Sequence, residues 1–248
     1  MTDDPERLEL EVAAKSGERV SQKSTICRRI LLSGSEGGIG SAIANRLSLE
    51  GVCLAPIGHR EVATNGVLVD FRNDRELANG VRRVGGPLDG IVLAHGLFRG
   101  GKLREINHPD WREVLDANLN SVFTILYAAD EFLRDGASIV IISSTAGLDH
   151  SFTGGAQYTA SKWGVNGLVR HLCHELAHRE IRINSVCPGT INTPMAQVFG
   201  QEEAERIRAV PLRRMGEPTE VAAVVSFRLS PGSSYITGAN IPVSGGLI

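Results

Sequence analysis

The chain has 248 residues, 42% hydrophobic and 22% charged, with 28 glycines and a formal net charge of −2 at pH 7. That length suffices for one large α/β domain with a buried core. The near-neutral balance excludes the basic surface of a nucleic-acid-binding domain, the aliphatic content excludes a disordered chain, and no apolar run approaches the ~18 residues that span a bilayer.

Residues 1–25 are polar and charged, without the apolar core of a secretory leader. They read as a loose tail or a short surface helix, and the chain as cytoplasmic. Residues 26–33 form an expected strand that runs into a glycine-rich turn. Residues 38–49 form a helix, with Ile39, Ile43 and Leu47 spaced by four. Short apolar runs at 52–57, 66–70 and 88–94 read as strands, with a helix at 75–84. A long helix is expected over 110–134, a strand over 138–143, a second long helix over 158–178 and a strand over 181–186. Residues 201–209 and 219–229 are helical, and 240–243 is the last strand. The strands are apolar throughout and alternate with helices, the pattern of a parallel sheet covered on both faces. None of the four cysteines, Cys27, Cys53, Cys173 and Cys187, sits in a C-x-x-C pair, so reduced thiols are expected.

After the first strand comes Ser33-Gly34-Ser35-Glu36-Gly37-Gly38-Ile39-Gly40, and then a helix. A glycine-rich turn at such a junction lets the backbone approach a pyrophosphate, and the helix N-terminus turns free N–H groups toward it. The second strand then ends in Gly58-His59-Arg60-Glu61. Gly58 stands where an acid would hold the ribose of NAD, whereas Arg60, with His59, suits the 2′-phosphate of NADP. Glu36 and Glu61 argue the other way. The balance tips to NADP, with NAD the other choice.

Tyr158 and Lys162 lie four apart at the start of a helix, so they share one face. An ammonium beside a phenol favours the phenolate and lowers its pKa toward the range useful for proton transfer. Ser144 follows the 138–143 strand, where its hydroxyl can hydrogen-bond a carbonyl oxygen. Asn118 sits inside the 110–134 helix, where asparagine is a mediocre helix former. His171, His174 and His178 have helical spacing that can bind metal, but no acidic cluster accompanies them, and no metal site is expected.

These motifs together resemble the short-chain dehydrogenase/reductase family of about 250 residues, over roughly 26–246. The family's T-G-x-x-x-G-x-G turn matches Ser33-Gly34 through Gly38-Ile39-Gly40, with Ser for Thr, and its tetrad matches Asn118, Ser144, Tyr158 and Lys162. Its Pro-Gly motif matches Pro188-Gly189-Thr190-Ile191-Asn192-Thr193, and Asp70 matches the residue that holds the adenine ring. Arg214 to Pro218 and Gly238 to Gly246 match as well. The resemblance implies a Rossmann-type doubly wound parallel sheet in three layers, α/β/α, as a single domain over 26–248, with a substrate loop at about 190–215.

It further implies that Gly34, Ser35, Glu36, Gly38, Ile39, Gly40, His59, Arg60, Asp70, Gly96, Tyr158, Lys162, Pro188, Gly189, Ile191 and Thr193 contact the coenzyme. Thr193 would meet the carboxamide or phosphate, and Lys162 the nicotinamide ribose. The implied activity is hydride transfer between NAD(P) and a secondary alcohol or ketone. Tyr158 is its acid/base, Ser144 holds the carbonyl oxygen and Asn118 positions a water. A 3-oxoacyl thioester is an alternative substrate, with Arg99, Lys102 and Arg104 as a docking patch for an acidic carrier protein. A catalytically silent NAD(P) sensor or scaffold is the reading from another class. The implied assembly is a homotetramer through the two long helices, with a dimer second. Two departures stand out. The family's Asn-Asn-Ala-Gly is Leu93-Ala94-His95-Gly96, which leaves open how this strand is tied to its neighbours, and the 58–66 connection is too short for the usual helix.

Overall fold

In the computed structural model, residues 27–59, 66–195 and 207–248 are described. The expected tail at 1–25 and the residues Arg60 and Glu61 lie outside them. So does most of the expected 201–209 helix, of which 207–209 is described and helical. The seven parallel strands are β1 (Arg29–Ser33), β2 (Cys53–Gly58), β3 (Val67–Leu68), β4 (Leu88–Leu93), β5 (Leu133–Ile142), β6 (Arg182–Pro188) and β7 (Asn240–Val243). They lie in the order β3-β2-β1-β4-β5-β6-β7. The order reverses between β1 and β4, the point at which open α/β sheets bind ligands beyond their strand C-termini.

Two apolar cores cover the two faces. On one, Leu31, Ile91 and Ile139 pack against Leu77 and Val81 of α2 (Asp74–Val84), Val122 and Ile125 of α4 (Ser121–Ala129), and Val165 and Val169 of α5 (Ala156–Glu175). On the other, Ile30, Leu32 and Val140 pack against Ile43 and Leu47 of α1 (Gly38–Leu49) and Val221 and Val225 of α6 (Pro218–Leu229). Successive residues of β1 thus feed opposite cores, as the period of two requires. The Rossmann-type doubly wound sheet in three layers is as expected.

Four local differences have physical causes. The expected 110–134 helix is broken into α3 (His108–Leu115), a π-helical turn (Asp116–Asn120) and α4. The wider turn admits one extra residue and carries Asn118 inward. Asn107 caps α3 by accepting from Asp110 N–H, which sets its start at 108. The chain leaves the helix early, and β5 opens at Leu133, which pairs with Leu88 across a register shift. The third strand is a two-residue edge piece, shorter than expected.

The cysteine expectation is corrected in part. Cys173 and Cys187 are buried free thiols, but Cys27 and Cys53 form a disulfide with Cα atoms 5.8 Å apart. Parallel pairing of Arg29 with Cys53 brings together two positions that are 26 apart in sequence.

Leu31 is fully buried at the centre of the first core. Leu31→Ala is expected to lower unfolding stability by about 3 kcal/mol, read as a drop in the urea midpoint at unchanged slope.

Candidate active site

Parallel register aligns the strand ends along one edge. Ser33 pairs with Leu93, Leu93 with Ile141, and Ile142 with Val186. The segments that follow β1, β4, β5 and β6 therefore emerge side by side. They carry the glycine turn, His95-Gly96, Ser143-Ser144 and Gly189 to Thr193.

The glycine turn is closed by sterics. Gly34 has φ +72°, and a Cβ there would lie 2.6 Å from His95 N. A Cβ on Gly40 would lie 1.9 Å from Gly34 O and crowd Ser35. One on Gly38 would meet Thr193 Cγ2 at 2.8 Å, so the loop after β6 covers the turn. Ile39 packs on the second core. Gly37 precedes α1 with no side-chain cap, and the first turn of α1 holds no acid. Its N–H groups and dipole end are thus left for an anion.

Beyond the sheet edge, Tyr158 lies in the first turn of α5, with Ser144 close enough to its phenol to act on its pKa. Ser144 Oγ also accepts from Ala146 N–H at 3.1 Å. Lys162, one turn on, is 4% exposed, and its ammonium donates to Ile142 O at 3.1 Å. Burial pulls its pKa down to about 8. Nζ sits 5.7 Å from the Tyr158 ring centroid and 3.6 Å from where a Cβ on Gly96 would be. The phenol departs from the sequence expectation. Burial pushes its pKa above the ordinary tyrosine value, and only Ser144 acts downward. Removing water from around the phenolate outweighs any pull from an ammonium at this distance.

Asn118 is 1% exposed, and its side chain is committed to the frame. Oδ1 accepts from Leu97 N–H at 2.6 Å, and Nδ2 donates to Leu97 O at 2.9 Å and to Ser161 Oγ at 3.0 Å. Both amide hydrogens are used, so the side chain clamps the β4 loop to α5. Phe98 stacks edge-on against Tyr158 at 5.0 Å, and Gly154 fits beneath both rings.

The sequence missed what ties β4 to its neighbours. His95 Nδ1 is 2.6 Å from Ser33 Oγ, and Nε2 is 2.8 Å from Ser121 Oγ. Ser121 donates its own hydrogen to Ala117 O at 2.8 Å, inside the π-turn. Its oxygen must therefore accept from His95 Nε2–H, and Nδ1 accepts from Ser33 O–H. The departure from Asn-Asn-Ala-Gly was visible as a signal, but its partners were not. The imidazole also stacks on Phe71 at 4.2 Å.

Other expected residues are placed as follows. Pro188 ends β6, and Ile191 is buried in a bridge to Gly216. Asp70 lies farther out, with its carboxylate held by Arg72 at 3.0 and 3.2 Å and its pKa lowered by that partner. His59 contacts Glu36. Arg99 pairs with Glu113 and Asp110, which leaves Lys102 and Arg104 exposed as the rest of the basic patch. Among the described residues no metal-binding cluster exists, and His171 pairs with Glu175.

The uncapped helix, the glycine cradle and the buried Glu36 carboxylate oxygen that lacks a partner fit a dinucleotide, so fold and site define a nucleotide-dependent α/β protein. Residues 34–248 match the family model described as enoyl-(acyl carrier protein) reductase. The (3R)-3-hydroxyacyl-CoA dehydrogenase of Canis lupus familiaris is 35% identical, over 88% of this chain and 95% of that protein. The acetoacetyl-CoA reductase of Allochromatium vinosum is 30% identical, over 90% and 99%. A short-chain dehydrogenase from Burkholderia cenocepacia, solved with NADP, superposes with a TM-score of 0.83 at 28% identity, over 89% and 97%. The chain belongs to the short-chain dehydrogenase/reductase family and is an NAD(P)-dependent oxidoreductase acting on CH–OH groups.

Burial and the nearby Lys162 charge hold His95 down to about 3, against an ordinary value of 6.5. The unfolded chain therefore takes up this proton first. The stability that goes with neutral His95 is complete above about pH 6.5 and is lost as pH falls toward 3, at about 1.4 kcal/mol per pH unit. Urea unfolding at pH 7, 6 and 5 should show a steeper loss in the wild type than in His95→Asn. Equal slopes would overturn the neutral-imidazole account.

Proposed function

We propose that the chain interconverts a 3-oxoacyl and a 3-hydroxyacyl thioester, with Tyr158 as the proton donor and acceptor. The carrying observation is Tyr158 one helical turn before a buried Lys162, whose Nζ lies 5.7 Å from the phenol ring, on the sheet edge that carries Ser144 and the uncapped helix N-terminus. The relatives' printed activities on hydroxyacyl-CoA and acetoacetyl-CoA support the substrate class.

Bound NAD(P) supplies the hydride chemistry at its nicotinamide. Gly34, Ser35, Gly38, Ile39 and Gly40, with the α1 N-terminus, would hold the pyrophosphate. Gly96, Pro188, Gly189, Ile191 and Thr193 would border the nicotinamide end, and Lys162 the adjoining ribose. Glu36, His59, Arg60 and Asp70 belong to the adenosine end. In reduction, Ser144 O–H and Tyr158 O–H would both donate to the substrate carbonyl oxygen. As that oxygen gains charge, Tyr158 gives it the proton and the alcohol forms. A phenol raised above its ordinary pKa is fully protonated at neutral pH, the form this step needs. Asn118 keeps Leu97 and Ser161 in place around the pair.

The assembly belongs to this reading. Phe123, Tyr127 and Trp163 are exposed on α4 and α5. Between these helices lies a groove of about 520 Å³ lined by Leu119, Phe123, Gly164 and Leu168. A homotetramer, with a dimer second, would cover this face. Light scattering should give four chains or, failing that, two, and a monomer at micromolar concentration would remove the assembly from the reading. The chain is placed in the cytoplasm, where reducing thiols would act on Cys27–Cys53. Among the described residues no helix is long and apolar enough to cross a membrane.

Tyr158→Phe should lower turnover of acetoacetyl-CoA by about 10³-fold while coenzyme still raises the thermal midpoint. Retained turnover would mean another acid. Wild-type binding of coenzyme without turnover of any thioester or simple ketone would favour the silent sensor.

A further inference from the structure

Among the described residues the end of β2 carries no acid, because Gly58 is its last residue and Glu61 lies outside them. The fold supplies one from elsewhere. Glu36, in the turn between β1 and α1, reaches across to this strand end. Its Oε1 accepts from the His59 backbone N–H at 3.2 Å and lies 3.0 Å from His59 Nδ1. Its Oε2 is buried and has no hydrogen-bond partner among the described residues. The side chain is 15% exposed.

A buried carboxylate oxygen without a donor is costly, and such atoms persist where a ligand supplies the missing hydrogen. The place matters. In dinucleotide folds the adenosine ribose rests between the glycine turn and the end of the second strand, where an acid accepts from its 2′-hydroxyl. Here one oxygen is anchored to the strand end and the other is left over.

We propose that Glu36 is the ribose acceptor of this chain and makes it prefer NAD(H) to NADP(H). With a 2′-hydroxyl, Oε2 gains the donor it lacks. With a 2′-phosphate it faces a dianion that has no hydrogen to give, so charge repulsion and the unmet acceptor act together. Arg60, the sequence's candidate for that phosphate, lies outside the described residues, so Glu36 carries the observation. The inference rests on the NAD(P) reading and concerns only which of the two coenzymes is preferred.

Direct binding tests it, by fluorescence titration of NADH and NADPH without substrate. The wild type should bind NADH at least tenfold more tightly. Glu36→Gln keeps the shape and removes the charge, and it should narrow that ratio at least tenfold, chiefly by tightening NADPH. Steady-state kcat/KM for the two coenzymes should move in parallel. Wild-type protein that binds NADPH as tightly as NADH, or more so, overturns the proposal whatever the variant does. So does a Glu36→Gln protein of unchanged ratio. A wild type that binds neither coenzyme removes the NAD(P) reading beneath it, an outcome distinct from both.

Discussion

Keeping a lysine ammonium out of water at the edge of a parallel sheet is the constraint from which the rest of the site follows. Lys162 is almost wholly buried, and its cation is held by the Ile142 carbonyl at the end of β5. Burial disfavours the charged form, so its pKa falls. A site of this kind needs close, polar walls. Gly96 is one of them, with its backbone in contact range of both the ammonium and Asn118. Asn118 is another, and it reaches its place because the helix widens into a π-turn around it. The extra residue in that turn looks like a defect in an otherwise regular helix, but it is the device that lets an amide side chain saturate Leu97 and touch Ser161 together.

The same wall is tied to the glycine turn by a directed run of hydrogen bonds. Ser33, His95, Ser121 and Ala117 form one chain of donors and acceptors, from the end of β1 through the end of β4 to the π-turn. Its polarity is fixed, because Ser121 spends its hydrogen on a carbonyl. Neutral imidazole is then the state that satisfies both ring nitrogens in this arrangement. Phe71, stacked on the imidazole, extends the contact to the loop after β3 and on to His59. Both ends of the cleft thus lean on one aromatic stack.

Much of this was legible in the sequence, and the reason is local. A glycine turn between an apolar strand and a helix, or a tyrosine four residues before a lysine, is a short-range pattern whose geometry follows from the helix or strand itself. A parallel sheet covered on both faces followed from apolar runs alternating with helices. What stayed hidden depends on register between distant segments. Cys27 meets Cys53 only once β1 and β2 are paired. His95 finds Ser33 and Ser121 only once three elements converge. The π-turn adds one residue to a helix without changing its apolar periodicity enough to be seen. The phenol departs from the pattern for a related reason. Spacing brings the ammonium near, but the depth of burial, which no spacing records, decides the direction of the shift.

That direction gives the site an asymmetry. In the proposed reaction, reduction needs a proton already on the phenol, and burial, which raises the Tyr158 pKa, keeps it there at neutral pH. Oxidation needs the phenolate, which in this low-dielectric setting requires positive charge close at hand. Lys162 could offer it, but its cation is itself weakened by burial and drawn toward the Ile142 carbonyl. The two groups therefore do not form a ready phenolate–ammonium pair in the chain alone. Burial thus favours the acid form, and a positive charge brought beside the phenol would favour the base.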